Sequence, residues 1–337
     1  MKEIINIRAN HLGTVKQAPY LIREIKKELP QAKINIFLDN DQTPNFSTKK
    51  ILKRDLNYEG IDPEGIRIFN KKTDQLSLNN ITINLDFFND SYRGMKRFDF
   101  YVDPLKFEKR RLLSLEEISK LKEEYSISSE KVILGGSLNA KEINLLVKST
   151  KNIITQNEGT QIIIVPRRFD KEEIEGIKRL DIKFRVDKAH KKNKPYLIIT
   201  QRGGLDKLYS ICDIAVIGDS FETGNGQNPL EPAFYGKRII SGMSNQMNVQ
   251  AYRGLEKSKL LTRIFPEDLE KELLKEIPEN EMAVYRENAK KFIESKQGAA
   301  KVYAECIKQS LEETLTQREF QHKTRDLFQT FEREFSI

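Results

Sequence analysis

Cysteine is scarce in this sequence and long apolar runs are absent, and both facts narrow its class. Cys212 and Cys306 are the two cysteines among 337 residues, and neither belongs to a CxxC pair. That argues against a disulfide framework and against a thiolate metal site. Cys212 lies in an apolar run and reads as a buried thiol. No apolar stretch approaches the ~20 residues of a membrane-spanning helix. The start, Met1-Lys2-Glu3-Ile4-Ile5-Asn6-Ile7, reads as a short strand rather than a signal peptide. There is no internal repeat, low-complexity tract or recognised nucleic-acid-binding module, so no nucleic-acid partner is expected. The expectation is a cytoplasmic protein whose only membrane contact would be peripheral, at the inner face.

Apolar residues make up 38% of the chain and charged residues 32%, with a net charge of +8. Apolar runs nevertheless recur from end to end, so the chain is read as globular. The basic excess is read first as a lysine-rich solvated surface. The sharper reading is an anionic partner such as a nucleotide or a phospholipid surface. The length suits two domains of ordinary size.

Strand and helix patterns alternate. Residues 4–7 read as a buried strand. Val15, Ala18, Leu21, Ile22, Ile25 and Leu29 have helical spacing, and Pro30 ends that helix. Residues 33–38 form a second strand, with others expected near 66–69, 81–85 and 98–102. The charged stretch 103–122 reads as a link, partly helical. A second series then begins, with strands at 131–134, 161–165, 196–200, 214–217 and 238–241. Helices are expected over 139–149 and 170–180, and the longest helical run over 285–313. Such alternation predicts parallel sheets covered on both faces. The expected organisation is a short first α/β domain over 1–105, a linker over 106–128, a nucleotide-binding α/β domain over 129–314, and a C-terminal helix over 315–337 packing back on the body. That last segment carries Phe320, Leu327, Phe328, Phe331 and Phe335, and contact with anionic lipid is its alternative use.

Parallel α/β sheets bind ligands beyond the carboxyl ends of their strands. Four such ends carry suggestive residues. Gly135-Gly136-Ser137 lets a phosphate or sugar approach backbone. Pro166-Arg167-Arg168 supplies guanidinium forks suited to phosphate or carboxylate. Gly203-Gly204-Leu205 opens a helix, and Gly224-Asn225-Gly226-Gln227-Asn228-Pro229-Leu230-Glu231-Pro232 leads from a strand into another. Free N–H groups at a helix start attract phosphate, and a glutamate in the first turn can accept hydrogen bonds from a ribose. Each part alone is an ordinary turn or helix entry; the combination is the signal.

In that order the motifs Ile133-Leu134-Gly135-Gly136-Ser137, Val165-Pro166-Arg167, Gly204-Leu205-Asp206 and Gly226-Gln227-Asn228-Pro229-Leu230-Glu231-Pro232 resemble the Kdo transferases of lipopolysaccharide assembly. Tyr285-Arg286-Glu287-Asn288-Ala289 and Gln297-Gly298-Ala299-Ala300 are similar to that family's closing helices. The resemblance covers roughly residues 130–310. Those enzymes move 3-deoxy-D-manno-octulosonic acid (Kdo) from its CMP conjugate to lipid A precursors. The resemblance implies an α/β, GT-B-like fold, two Rossmann-like domains facing across a cleft. It implies a metal-independent inverting glycosyltransferase that needs no cofactor beyond a nucleotide-sugar donor, CMP-linked, and a glycan or glycolipid acceptor.

By the same resemblance Glu231 holds the ribose, Gln227 and Asn228 lie near the phosphate, and Arg167 faces the donor's charge. Gly204 and Leu205 line the cytidine side, while Gly136, Ser137, Pro166 and Gly226 complete the donor loops. Gln227 stands where the family has histidine, and Asp206 where it has glutamate. In the first domain the family's Ser-Val-Gly-Glu, with its proposed base, is replaced by Ile7-Arg8-Ala9-Asn10-His11-Leu12-Gly13-Thr14. Thr14 occupies the position of the base and has no useful basicity near neutral pH. His11, just upstream, titrates in the right range for one, and Asp39 is a weaker candidate. Two other readings stay open: a non-catalytic nucleotide-sugar- or partner-binding relative, and an epimerase or phosphorylase-like enzyme.

Overall fold

The computed structural model describes residues 4–8, 15–38, 48–62, 66–70, 81–84, 97–99 and 102–168; most of 176–187; 194–312 apart from 202, 223 and 247; and 316, 318–319 and 322–327. The chain divides into two compact units. One comprises Met1–Arg111 with Ile293–Ile337, the other Leu112–Phe292.

The first unit is built on five parallel strands: β1 (Ile4–Arg8), β2 (Lys33–Leu38), β3 (Ile66–Asn70), β4 (Ile81–Asn84) and β5 (Arg97–Asp99). Their order, β3-β2-β1-β4-β5, reverses direction at β1. Helix α1 (Ala18–Glu28) follows the expected pattern. Pro19 sits in its first turn, where the missing N–H costs nothing, and Lys26 and Lys27 lie at its carbonyl end. Ala18, Leu21, Ile22 and Ile25 are buried on one face. Helices α2 (Thr48–Tyr58) and α3 (Val102–Leu105) follow, so the strand expected to run to Val102 ends earlier.

The second unit has seven parallel strands: β6 (Lys131–Leu138), β7 (Thr160–Pro166), β8 (Phe184–Val186), β9 (Tyr196–Ile198), β10 (Ile214–Ile217), β11 (Arg238–Ser241) and β12 (Leu261–Arg263). The order is β12-β11-β10-β6-β7-β9-β8. Ile162, Ile163 and Ile164 of β7 are fully buried, as a strand covered on both faces requires. Helix α4 (Leu115–Glu124) precedes the sheet. Helix α5 (Ala140–Gln156) packs Ile143, Leu146 and Val147 into the core with Ile133 and Ile162. Cys212 is buried here, and desolvation pushes its thiol up to about 12.

The unit boundaries differ from the sequence expectation. The division falls at Arg111, and α4, expected within a linker, belongs to the second unit. The long helical run expected over 285–313 is broken. Gly298, with φ +108°, separates Glu279–Ser295 from the last helix, Ala299–Leu311. Ala300, Tyr303, Ala304 and Ile307 of that last helix join the core formed by Leu21 and Ile25, so 293–314 belongs with the first unit rather than with 129–292. Of the tail, 322–327 are helical and Leu327 packs against that same core. Phe320, Phe328, Phe331 and Phe335 lie outside the described residues. No helix among the described residues is long and apolar enough to cross a membrane.

Glu108 fastens this arrangement within the first unit. Its Oε1 accepts the N–H groups of Gly298 (3.1 Å) and Ala300 (2.8 Å), capping the last helix. Burial raises its carboxyl above the ordinary 4.5, although the two N–H groups oppose the shift. The folded state therefore holds the proton to higher pH than the unfolded chain. Stability falls as pH climbs from 4.5 through the raised value and stays lower above it. Glu108→Gln keeps a carbonyl oxygen for both N–H groups and removes the buried charge. The expected outcome is a flatter dependence of the urea midpoint between about pH 5 and about pH 8, with the variant the more stable at the upper end. Glu59, raised by the same cause, leaves a residual slope. An unchanged profile would contradict the assignment.

Candidate functional site

The order of the second sheet reverses between β6 and β10. Strands step outward through β11 and β12 on one side and through β7, β9 and β8 on the other. Such a switch point leaves a crevice beyond the carboxyl ends of the two central strands. Gly136-Ser137 lies just before the end of β6 and Gly218-Asp219 follows β10, so the expected donor loops fall at this place.

The backbone is specialised there. Ser137 has φ +59° and Asp219 φ +57°, conformations that non-glycine residues rarely adopt. The β6–β7 register slips between Gly136 and Leu138, leaving Ser137 outside the ladder. The two central loops also approach closely: a Cβ on Gly218 would stand 2.2 Å from the Ser137 carbonyl oxygen.

Gly136 marks one side of the site. A Cβ there would meet Tyr209 Oη at 2.1 Å and Leu205 Cδ1 at 3.3 Å. Tyr209 is fully buried; desolvation and then the charge of Glu231 push its hydroxyl well above its ordinary value. Gly136, Leu205, Tyr209 and Glu231 are thus neighbours. Gly204, with φ +91°, caps α6 (Leu205–Leu208), and Glu231 lies in the first turn of α7 (Leu230–Ala233), half-buried.

Arg167 marks the other side. Its backbone N–H donates to the Leu138 carbonyl (2.8 Å), directly after Pro166, which pairs with Leu138 at the end of β7. Its guanidinium forms an ion pair with Asp219. The glycine loop is pinned from several directions. Gly226 N donates to Asp219 O (2.7 Å) and Gln227 N to Gly218 O (3.1 Å). Asn248 Nδ2 donates to Gly226 O (2.8 Å) and Tyr252 Oη to Gln227 O (3.1 Å). These last two residues belong to the start of α8 (Val249–Lys257) and to its N-cap.

Beneath both halves lies Glu142, 2% exposed. It forms a capping box with Asn139 at the start of α5. Its carboxylate also accepts the N–H groups of Asp219 (2.8 Å), Ser220 (2.9 Å) and Phe221 (3.2 Å). Asn139-x-x-Glu142 is visible in the sequence as a helix start. Nothing local announces that the same carboxylate holds a turn 77 residues away.

The structure therefore brings Gly136, Ser137, Pro166, Arg167, Gly204, Leu205, Gly226, Gln227, Asn228 and Glu231 onto the loops of one unit. One expectation changes. The helices opening at Leu205 and Leu230 each span four residues, too short for aligned peptide dipoles to sum to much. Asn228 Oδ1 accepts Leu230 N (3.1 Å), so the oxygen serves the turn into α7 and an anion would have to be met by the side-chain NH2 group. An anion at these loops would meet the Arg167 guanidinium, already paired with Asp219, rather than a long helix's aligned end. His11, Thr14 and Asp39 lie outside the described residues. Among the described residues no group of three or more His, Cys, Asp or Glu side chains gathers as metal ligands would.

No protein-family model matches the chain. In sequence it is similar to 3-deoxy-D-manno-octulosonic acid transferase of Rickettsia conorii, 28% identical over 215 residues, 60% of this chain and 45% of the relative. It is similar to the protein of the same name from Aquifex aeolicus, 28% identical over 110 residues, 33% of this chain and 31% of the relative. It also matches a bifunctional glycosyltransferase/methyltransferase of Fusobacterium nucleatum, 30% identical over 171 residues, 47% of this chain and 26% of the relative. The chain spans less than half the length of these curated relatives.

In fold it is similar to Anabaena HepE in complex with UDP-glucose, with TM-score 0.52, 12% identity, and coverage of 92% of this chain and 98% of that one. A glycosyltransferase from Rickettsia africae gives TM-score 0.50 at 13% identity, covering 98% and 99%. The UDP-GlcNAc 2-epimerase of Neisseria meningitidis gives TM-score 0.50 at 11% identity, covering 88% and 99%. These likenesses establish the expected GT-B-like α/β fold.

Proposed function

For this Kdo transferase-like protein of GT-B-like fold, we propose glycosyltransferase activity with the switch point of the second unit as the donor site. The supporting observation is the convergence there of Gly136, Arg167, the Gly226–Asn228 loop and Glu231. The finer reading is a donor carrying Kdo or a related acidic sugar on CMP, and an acceptor that is a lipid or surface glycan. Sequence similarity to Kdo transferases supports it.

In this reading the Glu231 carboxylate accepts hydrogen bonds from the ribose hydroxyls. Leu205 gives the cytidine side an apolar wall, and Gly136 beside it makes room for the Tyr209 hydroxyl. An acceptor hydroxyl attacks the anomeric carbon on the face opposite the nucleotide, and the bond from that carbon to the phosphate oxygen breaks. The Arg167 guanidinium and the Gln227 side-chain amide meet the charge that develops on the departing phosphate. The hydroxyl proton passes to a base of the first unit, for which His11 is the candidate. The configuration inverts, no metal or further cofactor takes part, and the basic surface allows peripheral contact with an anionic membrane.

The test is turnover. Incubated with a CMP-activated acidic sugar and a glycolipid acceptor, the protein is expected to release CMP only when the acceptor is present, and His11→Ala to slow that release by about 100-fold. Thr14, where the family has glutamate, motivates the second reading: a nucleotide-sugar-binding relative without turnover. Binding of nucleotide with no acceptor-dependent release from CMP-, UDP- or GDP-linked donors would favour it.

A further inference from the structure

We infer that Asp219 is the positioning residue for Arg167, aiming its guanidinium at the donor phosphate while closing the glycine loop beside it. This rests on the donor-site reading above. Arg167 and Asp219 have opposite exposures: the Arg167 side chain is 41% exposed and that of Asp219 only 9%. The buried carboxylate therefore holds Nη1 of a guanidinium whose side chain is otherwise partly exposed. A guanidinium carries five donors in one plane, so holding one of them narrows the directions open to the others.

Asp219 is itself fully committed. Its N–H donates to Glu142, its carbonyl accepts Gly226 N at 2.7 Å, Oδ1 pairs with Arg167, and Oδ2 accepts Asn225 N at 3.2 Å. One carboxylate thus ties the arginine to the loop that carries Gly226, Gln227 and Asn228. Gly224 is shaped to it: a Cβ there would stand 2.2 Å from Asp219 O and 2.6 Å from Oδ1. The residue adopts φ +57°. Asparagine and aspartate tolerate that conformation better than most side chains, and glycine better still. A carboxylate kept in a left-handed position, with every polar atom used, is the mark of a residue held for what it orients.

The test is a double-mutant cycle read by CMP affinity, in the full-length protein. Arg167→Ala is expected to weaken CMP binding about tenfold, as loss of a charge-assisted contact to phosphate does. Asp219→Asn keeps the backbone conformation but not the charge, and is expected to weaken binding about fivefold. In the Arg167→Ala background the Asp219→Asn change should then cost clearly less, no more than about twofold, because the residue acts mainly through the arginine and only the tie to the loop remains. Asp219→Gly, which adopts positive φ freely, supplies a second variant should Asn misfold. An Asp219 effect equally large without Arg167 would overturn the inference, since the residue would then serve only the loop. So would unchanged affinity in Asp219→Asn or in Arg167→Ala, with the donor-site reading intact. Absence of nucleotide binding in the wild type would overturn both.

Discussion

Glu142→Ala is expected to be the most damaging single substitution in the second unit. The side chain is buried, and its two oxygens accept four backbone N–H groups: Asn139 and Asp219 at Oε2, Ser220 and Phe221 at Oε1. Removing them strands several donors where water has little access. Breaking a buried charged network of this kind costs about 3–5 kcal/mol. For a unit of this size that corresponds to a fall in melting temperature of roughly 6–20 °C. Glu142→Gln should be nearly as harmful. An amide has one oxygen, so its NH2 group must face two N–H donors whichever way it is turned. Nucleotide binding should disappear with the stability, because residues 219–221 lose their anchor. Thermal denaturation of both variants checks this. A Glu142→Gln variant as stable as the wild type would show that the carboxylate is not what holds the turn.

Gly218→Ala is expected to come next. The added methyl would lie 2.2 Å from Ser137 O, 2.5 Å from Ser137 C and 2.8 Å from Leu138 N, all backbone atoms that no rotamer change can clear. The two central loops must part, and overpacking of that sort costs roughly 3 kcal/mol. Gly218 also donates to Gly136 O (2.9 Å) and accepts from Gln227, so the displacement runs through both halves of the site. The expected result is a melting temperature lowered by roughly 6–12 °C, with CMP affinity lost even well below the transition. Gly176→Ala is the control: among the described residues no atom outside its chain neighbours and its own helix backbone lies within 4 Å of its Cβ position, and the change should cost no stability, a helical glycine gaining up to about 1 kcal/mol as alanine. Normal CMP binding in a folded Gly218→Ala variant would separate the switch point from the ligand.

Much of the fold was legible because it is written in local periodicity. Ala18, Leu21, Ile22 and Ile25 announced α1, and the apolar run Ile162–Val165 announced β7. The loops proposed as the donor site were legible because glycines and prolines punctuate strand ends at recognisable positions. What escaped depends on partners distant in sequence. The longest helical run gave no sign that Ala300, Tyr303 and Ile307 would cross back to pack on Leu21 and Ile25. Strands β8 and β12 are three residues each, too short to show alternation. Pro229-Leu230-Glu231-Pro232 read as a helix start, and that helix proves to be a single turn, Leu230–Ala233. Nothing local announced the roles of Glu142 and Asp219, because Glu142 holds the backbone of another loop and Asp219 pairs with Arg167 at the end of another strand.

The central claim is that the second unit binds the nucleotide of a sugar donor through Glu231. The most direct measurement is a thermal-shift series with CMP, CDP, UDP, GDP and ADP, on the wild type and on Glu231→Ala. A ligand at about 100 times its Kd stabilises the folded state by about 2.7 kcal/mol, enough to raise the melting temperature by several degrees. The account predicts a selective rise with CMP that Glu231→Ala abolishes. No shift with any nucleotide, or a CMP shift that survives the substitution, would contradict it.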